Sequence, residues 1–329
     1  MRVIPGNAQD IGSRQEQQDA FGFTDIDDTT FVAHGGVLAI VADGMGGLAM
    51  GRQASQRAVD TFLHAYMEKR PDEEIPEALM RALHAANSIV VQIGTKENLG
   101  GHIGTTGVAA VIHHGQLHWV SVGDSRLYLY RQGALTQLTT DHAFAAELAK
   151  AVQAGVISQE EAERHPERRS LMSYIGKESL TQIDSNTIPL PLEKGDRLLL
   201  CSDGLYGTLN LAEMAAVLED DPQSAAEALK NAALKKQRSH QDNITAVVMG
   251  WGDERGQQQN SSMFPGLNRT QLHRYAILVL VVLLVGMLWL FIGWHRSESG
   301  TDDYTHSEIG PPTSSLGNAD PADKEGRAP

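Results

Sequence analysis

The chain has 329 residues, 41% of them hydrophobic, which is enough to bury a sizeable core in one large domain or two smaller ones. Its formal net charge of −14 argues against nucleic acid as a partner, because phosphate backbones require a basic protein surface. The single cysteine, Cys201, excludes an internal disulfide and suits a reducing compartment. Residues 1–10 lack the apolar segment of a signal peptide.

Strand-like and helix-like patterns alternate over residues 1–251. Strands are predicted, in chain order, at residues 37–42, 106–113, 116–122, 126–131, 197–202 and 243–251. Apolar residues recur at helical spacing over residues 54–67 and 79–93, which predicts two adjacent helices between the first two strands. Short turns separate the second, third and fourth strands and predict an antiparallel meander. This order favours an α+β layered domain over a Rossmann sheet.

A different kind of segment lies closer to the C-terminus. Residues 275–294 contain no charged side chain, and at about 1.5 Å rise per residue they would span roughly 30 Å, the hydrocarbon thickness of a bilayer. Tyr275 and Trp294 stand at its ends, where aromatic rings favour the headgroup region. A buried core helix of this length would be expected to carry a polar stripe. The sequence therefore predicts a transmembrane helix over 275–294, a flexible linker over 252–274 and a disordered acidic tail over 295–329.

Four aspartates fall at the ends of apolar runs. Asp43, Asp124 and Asp203 each follow such a run, and Asp242 directly precedes one. Carboxylates aligned along one rim of a sheet repel one another unless cations lie between them, and hard oxygen ligands select Mg²⁺ or Mn²⁺ over zinc. Two such ions can lower the pKa of water to make a nucleophile at neutral pH, and they neutralise charge on a transferring phosphoryl group.

These acids lie in four of seven short motifs that occur in a fixed order. The motifs are residues 14–20 (RQEQQDA), 41–47 (VADGMGG), 104–106 (GTT), 122–126 (VGDSR), 138–142 (LTTDH) with the later Gly155, Ile157, His165 and Pro166, 201–205 (CSDGL) and 242–245 (DNIT). In order and spacing they resemble the motifs of the metal-dependent protein phosphatases of the PPM, or type 2C, family, and in particular its bacterial members. The resemblance covers residues 1 to about 251.

The resemblance implies an α+β fold, a four-layer αββα sandwich of two antiparallel sheets flanked by helices. It implies hydrolysis of phosphoserine and phosphothreonine on proteins at a binuclear Mn²⁺ or Mg²⁺ site, with an opposing kinase as a further expected partner. Arg14 would bind the substrate phosphate through its planar guanidinium. The implied metal ligands are Asp43 for both ions, the Gly44 carbonyl for one of them, Asp203 and Asp242 for the first ion, Asp19 for the second through water, and Asp124 for a weaker third.

Five residues depart from the family's usual pattern: Gln17, Arg52, Arg169, Ser173 and Gly207. None of them is an implied metal ligand. Two of these departures, Arg169 and Ser173, fall in the segment 141–176, which resembles the mobile flap of bacterial members. We therefore interpret the departures as changes in flap behaviour and substrate choice.

Three alternatives have weaker support. Residues 44–49 fit the glycine pattern of dinucleotide-binding enzymes, but two helices follow it and Asp43 would lie beside the pyrophosphate. A cysteine-based phosphatase would need an arginine six residues after Cys201, where Gly207 stands. A catalytically impaired phosphatase fold serving as a membrane-bound binding module is disfavoured by the intact Asp43, Asp203 and Asp242.

The predicted location follows from the predicted activity. A phosphatase of cytosolic phosphoproteins would keep residues 1–272 in the cytoplasm. The chain is then expected to be a single-pass protein of the cell (inner) membrane, bound to the lipid bilayer through residues 275–294, with the acidic tail outside.

Overall fold

A computed structural model of the protein describes residues 2–45, 48–168 and 170–252. Arg169 and the predicted linker, transmembrane helix and tail beyond residue 252 lie outside the described residues. Within the described part, none of the helices combines the length and the apolar composition needed to cross a bilayer.

The strands of the described residues, in chain order, are β1 (Arg2–Asp10), β2 (Asp19–Phe23), β3 (Val37–Met45), β4 (Gly104–Thr105), β5 (Gly107–His113), β6 (Gln116–Val122), β7 (Arg126–Arg131), β8 (Ala134–Gln137), β9 (Asp184–Ser185), β10 (Leu190–Pro191), β11 (Arg197–Cys201) and β12 (Ile244–Gly252). The helices are α1 (Thr29–Gly35), α2 (Leu48–Met67), α3 (Ile75–Lys96), α4 (Phe144–Gln153), α5 (Gln159–Arg164), α6 (Asp203–Tyr206), α7 (Leu211–Ala215) and α8 (Pro222–Lys235).

The strands form two antiparallel sheets. The first has the order β1-β12-β11-β7-β8, and the second has the order β10-β6-β5-β3-β2, with β4 paired to β3 and β9 paired to β6. Every ladder among the described residues is antiparallel. The α+β prediction is confirmed, and the dinucleotide-binding alternative is wrong, because its parallel sheet is absent from the described residues.

Three apolar clusters stack these elements into layers. The first lies between α2, α3 and the outer face of the second sheet, and another lies between α6–α8 and the outer face of the first. The third contains side chains of both sheets and fills the space between them. Strand β11 shows the alternation: Leu198 and Leu200 face the other sheet, whereas Leu199 and Cys201 face the helices. Burial on both faces explains why this strand is a continuous apolar run.

The predicted meander is wrong in its last step. Strands β5 and β6 pair as expected, but β7 pairs with β8 and β11 in the other sheet. The chain changes sheets at Gly123, which has a φ of 102°. A Cβ atom there would lie 2.7 Å from the Thr106 side chain, so the tight crossing requires glycine. The crossing places the loop that holds Asp124 between the two sheets.

Candidate active site

Two of the predicted ligands face each other across one strand pair. In the antiparallel ladder of β2 and β3, Asp19 lies directly opposite Asp43. Directly opposed side chains on one face have Cβ atoms about 4.5–5.5 Å apart, so the two carboxylates are neighbours. Like charges in this position destabilise a ladder. This register therefore costs stability unless positive charge lies nearby.

The remaining acids reach the same rim from the first sheet and from the crossing between the sheets. Asp203 begins α6 directly after β11, and Asp242 stands just before β12. Strands β11 and β12 are paired, which brings these two positions together. Asp124 lies in the loop that joins β6 to β7. The two sheets thus contribute acids to one shared edge.

A cavity of about 570 Å³ opens at this edge. Six of the seven residues singled out in the sequence line it: Arg14, Asp43, Gly44, Asp124, Asp203 and Asp242. The seventh, Asp19, is buried beside it, opposite Asp43. Residues from five separate motifs therefore line one cavity, as the sequence predicted. The role of each residue stays a prediction.

The backbone of Asp43 is fixed by the segment that precedes β5. Its N–H donates to the Thr106 hydroxyl (2.9 Å), and its carbonyl accepts from Thr106 N–H (2.9 Å) and from the Thr105 hydroxyl (2.8 Å). At the next position, a Cβ on Gly44 would lie 2.1 Å from the carbonyl oxygen of Gly51. Only glycine fits there, so this turn of chain holds the Asp43 carboxylate in a defined place.

Asp19 is held by two hydroxyl groups. Ser202 and Thr245 both donate to its Oδ2 atom, at 2.7 and 2.6 Å. Its Oδ1 atom is buried and has no hydrogen-bonding partner among the described residues. A buried carboxylate oxygen without a donor is unfavourable unless a cation or water satisfies it. The geometry therefore fits a divalent cation, or a water molecule held by one, next to Oδ1.

Asn243 ties the N-terminal loop to the start of β12. Its side-chain oxygen accepts from Gln18 N–H (2.7 Å), and its amide nitrogen donates to the carbonyls of Ile11 (2.9 Å) and Glu16 (3.0 Å). Because Arg14 lies within this loop, Asn243 sets the position from which the guanidinium reaches the cavity. There, Arg14 Nη2 donates to Asp242 Oδ2 at 2.6 Å.

The base of the flap is linked to Asp124 through one arginine. Arg126 pairs with the carboxylate of Asp141 (2.6 Å), and its guanidinium lies 3.6 Å from the centre of the Tyr206 ring. The Tyr206 hydroxyl in turn donates to the carbonyl of Asp124 (3.0 Å). Asp141 is the first residue of the flap segment, residues 141–176. These contacts therefore link the position of that segment to the position of the loop that carries Asp124.

Burial and mutual repulsion raise the pKa values of the clustered acids. The pKa of Asp19 is raised to about 6, mainly by burial and further by Asp203 and Asp242, despite the two hydroxyl donors. That of Asp124 is also raised to about 6, by burial and by Asp203. The pKa of Asp43 is raised well above its usual value by burial and then by Asp19 and Asp203. Bound cations would reverse these shifts because they stabilise the charged carboxylates.

The donor set fits hard divalent cations. All the predicted side-chain ligands are carboxylates, which suit Mg²⁺ and Mn²⁺. Within residues 2–45, 48–168 and 170–252, no three acidic, histidine or cysteine side chains are gathered tightly enough to form a metal shell by themselves. Repulsion between the acids and the pairing of Asp242 with Arg14 both oppose such gathering. Bound ions would offset this repulsion, because they neutralise the charge of the carboxylates.

The hydroxyl of Ser202 offers a test of how Asp19 is positioned. We expect Ser202→Ala to weaken Mn²⁺ binding by about tenfold to a hundredfold, because partners that orient a ligand contribute that much to metal affinity. Isothermal titration calorimetry with Mn²⁺ measures this. Ser121→Ala is the matched control: Ser121 is equally buried, but its hydroxyl has no hydrogen-bonding partner among the described residues. Equal Mn²⁺ affinity in the two variants would contradict the positioning role.

Sequence reasoning did not assign roles to the residues that orient the ligands. Thr105, Thr106, Asn243 and Thr245 stand inside the quoted motifs, and Ser202 directly precedes Asp203. The signal in the sequence that could have identified these orienting residues was a short polar side chain close to an aspartate at the end of a strand. Two departures from the family pattern also have structural explanations. Gln17 accepts from Asp19 N–H (3.1 Å) and donates to the Asp10 carbonyl (3.2 Å). Ser173 is buried and donates to the carbonyl of Gln182 (2.8 Å).

Comparison with known proteins finds relatives of this chain. Residues 8–237 match the family model described as protein phosphatase 2C. A curated relative, the serine/threonine phosphatase stp of Listeria innocua, is 35% identical over 217 residues, which cover 64% of this chain and 83% of the relative.

Solved structures are similar over about three quarters of the chain. The serine/threonine phosphatase of S. agalactiae superposes with a TM-score of 0.65 at 30% identity, covering 75% of this chain and 99% of that one. The catalytic domain of the serine/threonine protein phosphatase PstP, solved with two manganese ions, gives a TM-score of 0.60 at 30% identity and covers 76% and 99%. The chain belongs to the protein phosphatase 2C family, the metal-dependent PPM phosphatases, and is a protein-serine/threonine phosphatase.

Proposed function

We propose that the chain dephosphorylates phosphoserine and phosphothreonine at a binuclear Mn²⁺ or Mg²⁺ site, with Asp43 as the ligand shared by both ions. The observation that carries the proposal is the convergence of Asp43, Asp124, Asp203 and Asp242 on one cavity, with Asp19 directly opposite Asp43. When bound, the ions supply a nucleophile from water at neutral pH and neutralise charge on the phosphoryl group.

The protein's own residues would bind the ions and orient the substrate phosphate beside them. Asp203 and Asp242 would complete the shell of the first ion, Gly44 would offer its carbonyl, and Asp124 would serve a weaker third ion. Arg14, which contacts Asp242 Oδ2 through Nη2 in this structure, would bind the substrate phosphate by donating from its planar guanidinium to two phosphate oxygens. Met45 lines the same cavity and has no proton to donate, so it does not act as a general acid, and we propose that the leaving oxygen takes its proton from solvent.

Metal stoichiometry tests the proposal independently of activity. Titration calorimetry of the full chain in mild detergent is expected to show two Mn²⁺ ions per chain, with a third at higher concentration. Release of phosphate from a phosphothreonine peptide should follow Mn²⁺ occupancy and stop, reversibly, in EDTA. A single ion per chain, or full turnover in EDTA, would contradict the binuclear mechanism. If the chain were instead a catalytically impaired binding module, Mn²⁺ would bind but no phosphate would be released.

We further propose that the phosphatase is anchored in the cell membrane by residues 275–294. The support is the uncharged stretch of the sequence and the aromatic residues at its ends. Residues 252–274, as a flexible coil of 23 residues, would have a root-mean-square span of roughly 25–30 Å. The active site would then act on phosphoproteins near the bilayer, including the products of an opposing membrane kinase, through their high effective concentration.

Orientation can be tested with a tag at the C-terminus. Residues 1–272 are expected in the cytoplasm, so protease added to intact spheroplasts should remove the tag and leave the phosphatase domain intact. A cytosolic phosphoprotein followed in the same samples is the control for intact membranes. A tag that survives until the cells are lysed would place the tail inside and reverse the proposed orientation.

A further inference from the structure

A second cavity, of about 420 Å³, adjoins the metal site. One wall is formed by three of the predicted metal ligands, Asp124, Asp203 and Asp242. Basic side chains from two different segments also line it, Arg168 of the flap and Arg238 with His240 of the loop between α8 and β12. A peptide whose phosphate occupies the metal site therefore has basic side chains close to its neighbouring residues.

The two arginines differ from the third arginine of this cavity. Arg126 is neutralised by Asp141, with which it forms hydrogen bonds at 2.6 and 2.9 Å. Within residues 2–45, 48–168 and 170–252, no carboxylate forms an ion pair with the exposed side chains of Arg168 or Arg238. In a chain with 41 acidic and 27 basic residues, two arginines that line one cavity without acidic partners favour an external anion as their partner.

Both arginines stand on backbone that is held in place. The carbonyl of Arg168 accepts from Ala145 N–H (2.9 Å), and its N–H donates to the carbonyl of His165 (3.1 Å). Three residues after Arg238, the Gln241 side chain donates to the carbonyl of Gly204 (2.9 Å) and accepts from the Thr208 hydroxyl (3.0 Å). These bonds hold the two segments where they line the cavity.

We infer that this cavity is a specificity subsite for a second anionic group of the substrate polypeptide, a carboxylate or a further phosphate. The inference rests on the protein phosphatase activity and adds a substrate class to it. Because the cavity shares three aspartates with the metal site, the second group belongs to a residue within a few positions of the phosphorylated one, at about 3.3–3.6 Å per extended residue. Arginine is suited to both anions through paired N–H donors.

The test compares phosphothreonine peptides that differ at neighbouring positions. One set carries glutamate at each of the three positions on either side of the phosphothreonine in turn, and the reference carries glutamine there. With Mn²⁺ and the full chain, we expect kcat/KM for at least one acidic peptide to exceed that of its glutamine match by about fivefold to tenfold. The preference should decline as salt is raised, because the paired groups are partly exposed.

The double variant Arg168→Gln, Arg238→Gln is expected to reduce that ratio to about one. Arg57→Gln is the matched control: it removes the same charge from an exposed position on α2 and should keep the full ratio. Since each ratio comes from one preparation of one protein, partial loss of folded enzyme cancels. A merely structural role for the arginines would lower both rates and leave the ratio unchanged.

A third peptide set, with phosphoserine at the preferred position, distinguishes the two sources of negative charge. A larger ratio for phosphoserine identifies a second phosphate as the preferred group, and an equal or smaller ratio identifies a carboxylate. Equal kcat/KM for charged and neutral peptides, or a ratio retained by the double variant, overturns the subsite while leaving the phosphatase assignment intact. Failure to hydrolyse any of the peptides overturns both.

Discussion

Replacement of Asp43 by asparagine is expected to lower kcat by about a thousandfold or more. The carboxylate is the predicted ligand of both ions, and without it the protein loses the nucleophile and the neutralising charge that they supply. A thousandfold loss corresponds to roughly 4 kcal/mol of transition-state stabilisation. Phosphate release from a phosphothreonine peptide at saturating Mn²⁺ measures it, and titration calorimetry should show that fewer ions bind.

The same substitution is expected to stabilise the metal-free protein. The pKa of Asp43 is raised well above its usual value, so the folded state binds its proton more tightly than the unfolded state does. The charged carboxylate therefore costs stability increasingly as pH rises from the unfolded pKa through the folded one. In EDTA, Asp43→Asn should melt several degrees above the parent protein at pH 7.5, and this difference should shrink towards pH 4.

Asp220→Asn is the matched control for both measurements. It makes the same change at an exposed aspartate in the turn before α8 and should alter neither kcat nor the melting temperature appreciably. If Asp43→Asn retained more than about a tenth of the parent kcat at saturating Mn²⁺, the assignment of Asp43 as the shared ligand would be wrong.

Replacement of Arg14 by alanine is expected to raise KM by about tenfold to fiftyfold with a smaller change in kcat. The guanidinium is predicted to hold the phosphate in both ground and transition states, and loss of such uniform binding appears mainly in KM. Arg14→Lys, which keeps the charge but not the planar pair of donors, should give an intermediate KM. Steady-state kinetics with a phosphothreonine peptide provide the measurement.

The pairing of Arg14 with Asp242 gives this variant a second readout. The guanidinium competes with a cation for the Asp242 carboxylate, so Arg14→Ala should bind Mn²⁺ as tightly as the parent or more tightly. Arg70→Ala, at an exposed arginine paired with Asp72, controls for loss of a surface ion pair. An unchanged KM in Arg14→Ala, or weaker Mn²⁺ binding, would show that Arg14 supports the metal site instead of the substrate.

Sequence reasoning succeeded where the pattern is local. The bounds predicted for residues 116–122 and 126–131 coincide with β6 and β7, because alternation and flanking turns define a strand within its own segment. The strand-end aspartates could likewise be grouped, since their motifs carry the family resemblance. Grouping them required no knowledge of which strands pair. The structure then brought the members of the group to one cavity.

Pairing between distant segments could not be predicted in the same way. Periodicity shows that β7 is a strand but not which sheet it joins, and that choice depends on the packing of Gly123 against Thr106. Strand β1 was not predicted at all, because Pro5 and Gly6 interrupt its apolar pattern. Proline is tolerated there because, among the described residues, β1 is an edge strand that pairs with β12 alone. The hydroxyls around Asp19 likewise come from segments more than 180 residues away.

The pairing of β1 with β12 also fixes where the described domain begins and ends in space. Strand β12 starts beside Asp242 at the metal rim and runs to Gly252, and Arg2 pairs with Gly252 at that far end. Eight steps of about 3.3 Å separate Ile244 from Gly252, or roughly 26 Å. Both ends of the described domain thus emerge on the side opposite the active-site cavity. A fluorescent protein or a solid support attached at either end leaves the opening of that cavity accessible to large phosphoprotein substrates.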